Sequence, residues 1–225
     1  YDIILPKFQK LVQKRGDGQY YVRGTFTKYN KDFTNDVLHF FDQGFEQISI
    51  EPVVTDPKLP YALTEEDLPE VFAEYEKLAK VIIEKRKNGE FFNFFHFMID
   101  LDQGPCAIKR LRGCGCGNEY VSVTPEGDVY PCHQFVGKKE WIMGSVNDLS
   151  LNTEIKYSFA KTTVYTKPEC RTCWAKFYCS GGCNANNLEY AGAIKKPYKL
   201  ACDLEKKRLE CAIMIKAALA DLEIE

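Results

Sequence analysis

Apolar side chains recur every three or four residues in the opening segment YDIILPKFQKLVQKRG. Leu5, Phe8, Leu11 and Val12 share one face and Gly16 follows as a C-cap, which predicts a helix. From residue 20 the pattern changes. YYVRGTFT (20–27) is β-branched and aromatic and predicts a strand. Asn30 or Asp32 then opens a helix that turns Phe33, Val37, Phe40 and Phe41 inward, and Gly44 ends it. FEQISIEPVV (45–54) predicts a second strand. Thr64 is a good N-cap for a long helix from 65 to about 88, with Leu68, Phe72, Tyr75, Leu78, Ile82 and Ile83 as its buried stripe and Asn88-Gly89 as its stop. Strand, helix, strand, helix implies parallel strands joined by right-handed crossovers. A parallel sheet is covered on both faces, and two strands are too few for that. The expected class is therefore α/β, as part of a larger sheet or barrel whose remaining strands lie upstream. No Met precedes Tyr1, so the chain is expected to be a fragment, and a missing signal peptide carries no information on compartment.

The cysteines divide the chain differently. Residues 1–103 contain none, and all ten lie at 106, 114, 116, 132, 170, 173, 179, 183, 202 and 211. This shift places a domain boundary at Gly104-Pro105, giving domains 1–103 and 104–225. In the second, EYVSVT and VYPC flank PEGD, where Pro125 and Gly127 suit a tight turn, and this predicts a hairpin. Residues 203–222 predict an amphipathic helix led by Asp203. A length of 225 residues is enough for a sizeable core, and 45% hydrophobic with 28% charged residues is the balance of a globular protein. A formal charge of −2 provides no basic field for nucleic acid or an anionic membrane surface. No run approaches the roughly 20 apolar residues that cross a bilayer.

Three chemistries compete for the thiols. Disulfides suit an even number of cysteines, but a cysteine-free α/β segment precedes them, and two-residue gaps place sulfurs poorly for bonding to each other. Structural zinc takes four thiolates from two short-gap pairs; CRTC offers one pair and CGC a cramped second, leaving the other cysteines unexplained. An iron–sulfur cube takes thiolates at its corners in a pocket that limits water and donates backbone N–H groups to sulfur. In CRTCWAKFYCSGGC (170–183), Gly181 and Gly182 let the backbone approach closely, and the long spaced array favours iron–sulfur.

Cys114 or Cys116, PEGDVYPC ending at Cys132, Cys170-x2-Cys173-x5-Cys179-x3-Cys183 and finally Cys202 together resemble the SPASM domain. Gly127 stands five positions before Cys132, as that pattern requires. SPASM domains follow a radical S-adenosylmethionine barrel, so residues 1–103 resemble the end of such a partial (βα)6 barrel and 104–225 an α+β SPASM domain with two auxiliary [4Fe–4S] clusters. YYVRGTFT, RGCGCG and VYPCHQFVG are most similar to the maturases of six-cysteine (SCIFF) precursor peptides, which form thioether links. The resemblance implies interleaved ligand sets. One is Cys132 and Cys183 with Cys114, Cys116 or both; the other is Cys170, Cys173, Cys179 and Cys202. Where many relatives have Cys-x-Ala-Gly, this chain has Cys114-Gly-Cys116-Gly. Cys116 is then either a fourth ligand or leaves an iron open to a substrate thiolate, with Cys106 a further candidate. Cys211 reads as core.

The signature Cys-x3-Cys-x2-Cys of the S-adenosylmethionine cluster is absent, since Asn186 stands three positions after Cys183. Catalysis therefore belongs to a full-length parent with a third cluster. There, the resemblance implies, reductive cleavage of S-adenosylmethionine gives a radical that removes a Cα hydrogen from the peptide. A cysteine sulfur bonds that carbon, and one electron leaves. It also implies a Cys-rich precursor peptide, a ferredoxin or flavodoxin donor, and a cytoplasmic location. Arg23, beside Thr25 on the first strand, and Glu51, ending the second, are candidate cofactor contacts, Arg23 calling for a carboxylate partner. His96 and His133 read as a packed ring and a peripheral or surface residue. Trp174 and Tyr178 are expected to shield a cluster, and EKKR (205–208) to be a solvated helix face. A different SPASM peptide- or protein-modifying enzyme, a pure iron–sulfur electron carrier and a zinc-stapled peptide-binding module remain the alternatives.

Overall fold

The computed structural model describes residues 1–16, 18–101, 106–108 and 110–220. The chain forms two compact units, one from Tyr1–Ile99 with the chain from Leu204 on, the other from Asp100–Asp203. The expected boundary at Gly104-Pro105 lies outside the described residues. The first unit runs α1 (Leu5–Arg15), β1 (Val22–Phe26), α2 (Phe33–Asp42), β2 (Gln47–Pro52), α3 (Leu68–Lys87) and β3 (Asn93–Phe94). The second carries β4 (Ser122–Val123), β5 (Asp128–Tyr130), β6 (Gly144–Ser145), β7 (Ser150–Leu151), α4 (Thr153–Ala160), α5 (Pro168–Arg171), α6 (Lys176–Cys179) and α7 (Asn184–Ala191). The last helix, α8 (Lys199–Ala220), starts in the second unit and continues into the first.

The three strands of the first unit pair in parallel in the order β1-β2-β3. The short third strand lies in an aromatic run whose period did not announce it. Phe26, Phe33, Val37, Ile48, Ile50, Tyr75 and Leu78 are buried together, with the Phe26 and Phe33 rings stacked at 4.6 Å and Phe33 against Tyr75 at 4.8 Å. A side chain at Gly24 would meet Phe40 and Ile50, so that face of the sheet carries α2. Alternation sends Arg23, Thr25, Ser49 and Glu51 to the opposite face, with Arg23 paired to Ser49 and Thr25 to Glu51. The long helix begins as expected: the amide and hydroxyl of Thr64 both donate to Asp67 Oδ2, at 2.9 and 3.0 Å.

The first helix forms where expected and ends at Gly16; none of its residues is buried, and Phe8 and Leu11 are about half exposed. Two expectations are corrected. The last helix begins at Lys199 rather than Asp203, with Lys199 Nζ and Asp203 Oδ2 2.6 Å apart across one turn. EKKR is not a uniformly solvated face, because Arg208 is buried. Leu204, Arg208, Cys211 and Ile215 recur at the helical period, and all four are buried. Arg208 is tolerated there because its Nε donates to Tyr75 Oη at 3.0 Å and its Nη1 lies 3.5 Å from Glu205; its Nη2 is buried without a hydrogen-bond partner.

The second unit has little regular structure. Its four-stranded antiparallel sheet, order β4-β5-β6-β7, is built from strands of two or three residues. The expected hairpin is present, pairing Ser122 with Tyr130 and Val123 with Val129 across a turn in which Gly127 takes φ 96°. Its core consists of Cys116, Tyr130, Cys132, Phe135, Phe159 and Ala185.

Tyr75→Phe removes the acceptor of a buried guanidinium and leaves a second Arg208 nitrogen unpaired. A loss of about 1.5–3 kcal/mol is expected, the scale of a hydrogen bond to a charged group, and urea unfolding monitored by circular dichroism measures it.

Candidate metal centre and polar sheet face

The segment RGCGCG contributes two of the thiols. Gly113, Gly115 and Gly117 all take positive φ, between 68° and 73°, so left-handed glycine alternates with each cysteine. At Gly117 a side chain would also lie 2.5 Å from the Phe159 ring. This backbone folds Cys116 into the core and leaves Cys114 exposed. The Cys116 thiol donates toward Cys114 sulfur, and backbone N–H groups of Cys116 and Cys114 point at the same atom. Together they draw Cys114 down to about 6, while the same contact and burial push Cys116 far upward. Cys116 also bonds to Cys132. Burial raises Cys132, against the pull of the Gln134 and Phe135 amides on its sulfur, and Cys183 lies within its electrostatic reach. The Gln134 side-chain amide donates to Cys183 sulfur at 3.8 Å. Cys114, Cys116, Cys132 and Cys183 are thus neighbours, although 69 positions separate the first from the last.

A second group surrounds the turn after α6. Ser180, Gly181 and Gly182 take φ of 59°, 84° and 71°, three consecutive left-handed residues between Cys179 and Cys183. Cys170 is buried and feels Cys173 electrostatically. Lys167 is fully buried and interacts with Cys170, Cys179, Cys183 and Cys202 together. Its Nζ donates to Gly181 O at 2.6 Å and Asn184 Oδ1 at 2.9 Å, and Asn187 Nδ2 also donates to Gly181 O, at 3.3 Å. Nothing in the local spacing singles out this lysine; only its burial reveals it.

Cys106 is exposed. Among the described residues, no three His, Cys, Asp or Glu side chains are placed to hold one metal ion. A tetrahedral zinc site draws its donors to about 2.3 Å from a single atom, whereas a cube takes its thiolates at separate corners. Sulfurs receiving backbone N–H bonds beside left-handed glycines fit the donor set of an iron–sulfur cluster. Trp174 is 53% exposed and Tyr178 is half-buried. His133 is exposed, 3.5 Å from the Tyr120 hydroxyl.

The polar face of the first unit's sheet forms a separate cluster. The carboxylate partner that Arg23 calls for is Glu51, at 3.1 Å, and Arg23 itself remains largely exposed. Ser49 Oγ donates to Glu51 Oε1 at 2.8 Å. His96 packs edge-on against Phe94 and Phe95, as a buried ring should, but its Nε2 also stands 2.8 Å from Glu51 Oε2, off the line of a good hydrogen bond. Burial pushes Glu51 upward, but His96, Ser49 and Arg208 outweigh it and hold the carboxyl near 2. Burial dominates at His96 and lowers it despite Glu51. At neutral pH the pair is therefore a carboxylate beside a neutral imidazole, and the imidazolium that stabilises Glu51 forms on acidification.

A depressed carboxyl stabilises the folded state above its unfolded value of 4.5, and the contribution is lost as pH falls toward about 2. Glu51→Gln is expected to flatten the acid limb of stability across that window, as measured by denaturant midpoints at stepped pH.

Residues 114–174 match the SPASM family model, described as an iron–sulfur cluster-binding domain. Cys179, Cys183 and Cys202 lie beyond that span. No curated protein matches the sequence significantly. Among solved structures, native anSMEcpe with bound AdoMet is similar with a TM-score of 0.66 at 18% identity, over 93% of this chain and 60% of that one. Native anSMEcpe with bound AdoMet and Cp18Cys peptide is similar at 0.65, also at 18% identity and with the same coverage. The chain thus spans 60% of the length of these structures, and its mixed α/β fold is like theirs.

Proposed function

We propose that this chain is the part of a radical S-adenosylmethionine enzyme that holds two auxiliary [4Fe–4S] clusters while a ribosomally made, Cys-rich peptide is crosslinked through thioethers. The observation that carries the reading is the gathering of Cys114, Cys116, Cys132 and Cys183 around one core, beside a second set at Cys170, Cys173, Cys179 and Cys202. Interleaved sets tie distant segments together, so that cluster binding and folding are coupled in a unit with little regular structure. Bound clusters supply a route for the electron released on crosslinking, and the exposed Cys114 edge suits the approach of a peptide thiolate. Glu51, near the C-terminal end of its strand on the polar face of a parallel sheet, and Arg23, paired to it, are where S-adenosylmethionine or substrate would be contacted. The match over 114–174 and the fold likeness to AdoMet-bound anSMEcpe support the family. The anSMEcpe structure holding Cp18Cys peptide favours a second reading, a SPASM enzyme that modifies another peptide or protein substrate without crosslinking it.

Anaerobically purified protein is expected to be brown and to contain the iron and sulfide of two four-iron clusters. Cys132→Ser should remove about half of that iron, whereas Cys211→Ala, in the core of the first unit, should leave it unchanged. Unchanged iron in Cys116→Ala would remove Cys116 from the ligand set. Folded protein that is colourless, or that carries zinc instead, would refute the assignment.

A further inference from the structure

The buried ammonium of Lys167 has no role in the ligand sets. Its side chain is 2% exposed, and a lysine so deeply buried is costly unless a charge answers it. Its two hydrogen bonds go to neutral oxygens, the carbonyl of Gly181 and the side chain of Asn184, and neither is a carboxylate. Burial lowers its affinity for a proton, and the groups that oppose this are sulfurs: Cys170, Cys179, Cys183 and Cys202. Three of these four belong to one proposed ligand set.

Gly181 supplies an independent observation. A side chain there would stand 3.2 Å from Lys167 Cδ and Nζ, at a left-handed φ of 84°. The turn between Cys179 and Cys183 therefore admits the ammonium because residue 181 has no Cβ. Asn187 braces the turn, donating to Gly181 O while its Oδ1 accepts from the Tyr198 amide at 2.9 Å. The loop that spaces two cysteines is thus built around a buried cation.

We infer that Lys167 is the counter-charge of the cluster held by Cys170, Cys173, Cys179 and Cys202, and a positioning residue that sets how readily this cluster takes up an electron. The inference rests on the reading of these thiols as cluster ligands. A thiolate-bound cluster is anionic and gains one negative charge on reduction. A fixed positive charge in a poorly solvated site stabilises the reduced form more than the oxidised form, so it raises the potential. No covalent step is involved: the electron comes from the external donor.

The test is a redox titration of the iron-loaded protein, followed by electron paramagnetic resonance, with iron counted in the same samples. Lys167→Met should lower the potential of one cluster enough to cut its reduced-to-oxidised ratio at least about tenfold at fixed applied potential, ~59 mV for a one-electron couple. The second cluster should shift less, and Lys167→Arg should restore the wild-type value. Because Lys167→Met removes an anchor of the turn, Lys167→Gln, which keeps a donor for Gly181 O without the charge, provides a second route and should lower the same potential. A purely structural lysine would lose iron or stability in these variants but leave the potential of the iron-loaded fraction unmoved. Iron-loaded variants with wild-type potentials overturn the inference alone, whereas folded wild-type protein without iron overturns the cluster assignment and the inference with it.

Discussion

Bringing sulfur atoms together from remote parts of the chain is the constraint on which the second unit depends. Strands of two or three residues cannot hold a sheet by pairing alone, and the helices between Thr153 and Ala191 are short. Cys116 and Cys132 lie among Tyr130, Phe135 and Phe159 as members of the core. A thiol is a modest hydrophobe that tolerates such a place, but a cluster of thiols is also a latent anionic site. The left-handed glycines beside them supply what such a site needs, close backbone approach and amides free to turn toward sulfur.

The two units solve the problem of buried charge in opposite ways. In the first, Arg208 sits beneath Tyr75, and Glu51 gathers Arg23, Ser49 and His96, so each ionised group has a visible polar neighbour. In the second, Lys167 is surrounded by carbonyl, amide and sulfur. Burial works against its charge, and the nearby sulfurs favour it.

Much of this was legible along the sequence, for identifiable reasons. The parallel β–α–β–α order followed from a change of hydrophobic period, and Thr64 marked the start of the long helix because capping is a local interaction. Gly127 and Pro125 placed the hairpin. The alternation of Arg23 with Val22 and Gly24 called for a carboxylate, and Glu51 is that partner. What was missed is equally specific. The third strand is too short to show a period. Arg208 hid in a charged run because one position in four of a helix can be buried without changing its composition.

The sequence by itself determined which sulfurs are available: ten thiols, all after residue 103, with glycines spaced for turns among them. Covalent spacing and backbone preference are local, so they are written into the order of residues. Only the tertiary structure decided which thiols become neighbours, that Cys114 and Cys116 face different surroundings, and that a lysine rather than solvent lies behind the turn at Gly181. Those outcomes depend on how long loops return through space, a path chosen by packing and burial across the whole unit, which no stretch of residues encodes alone.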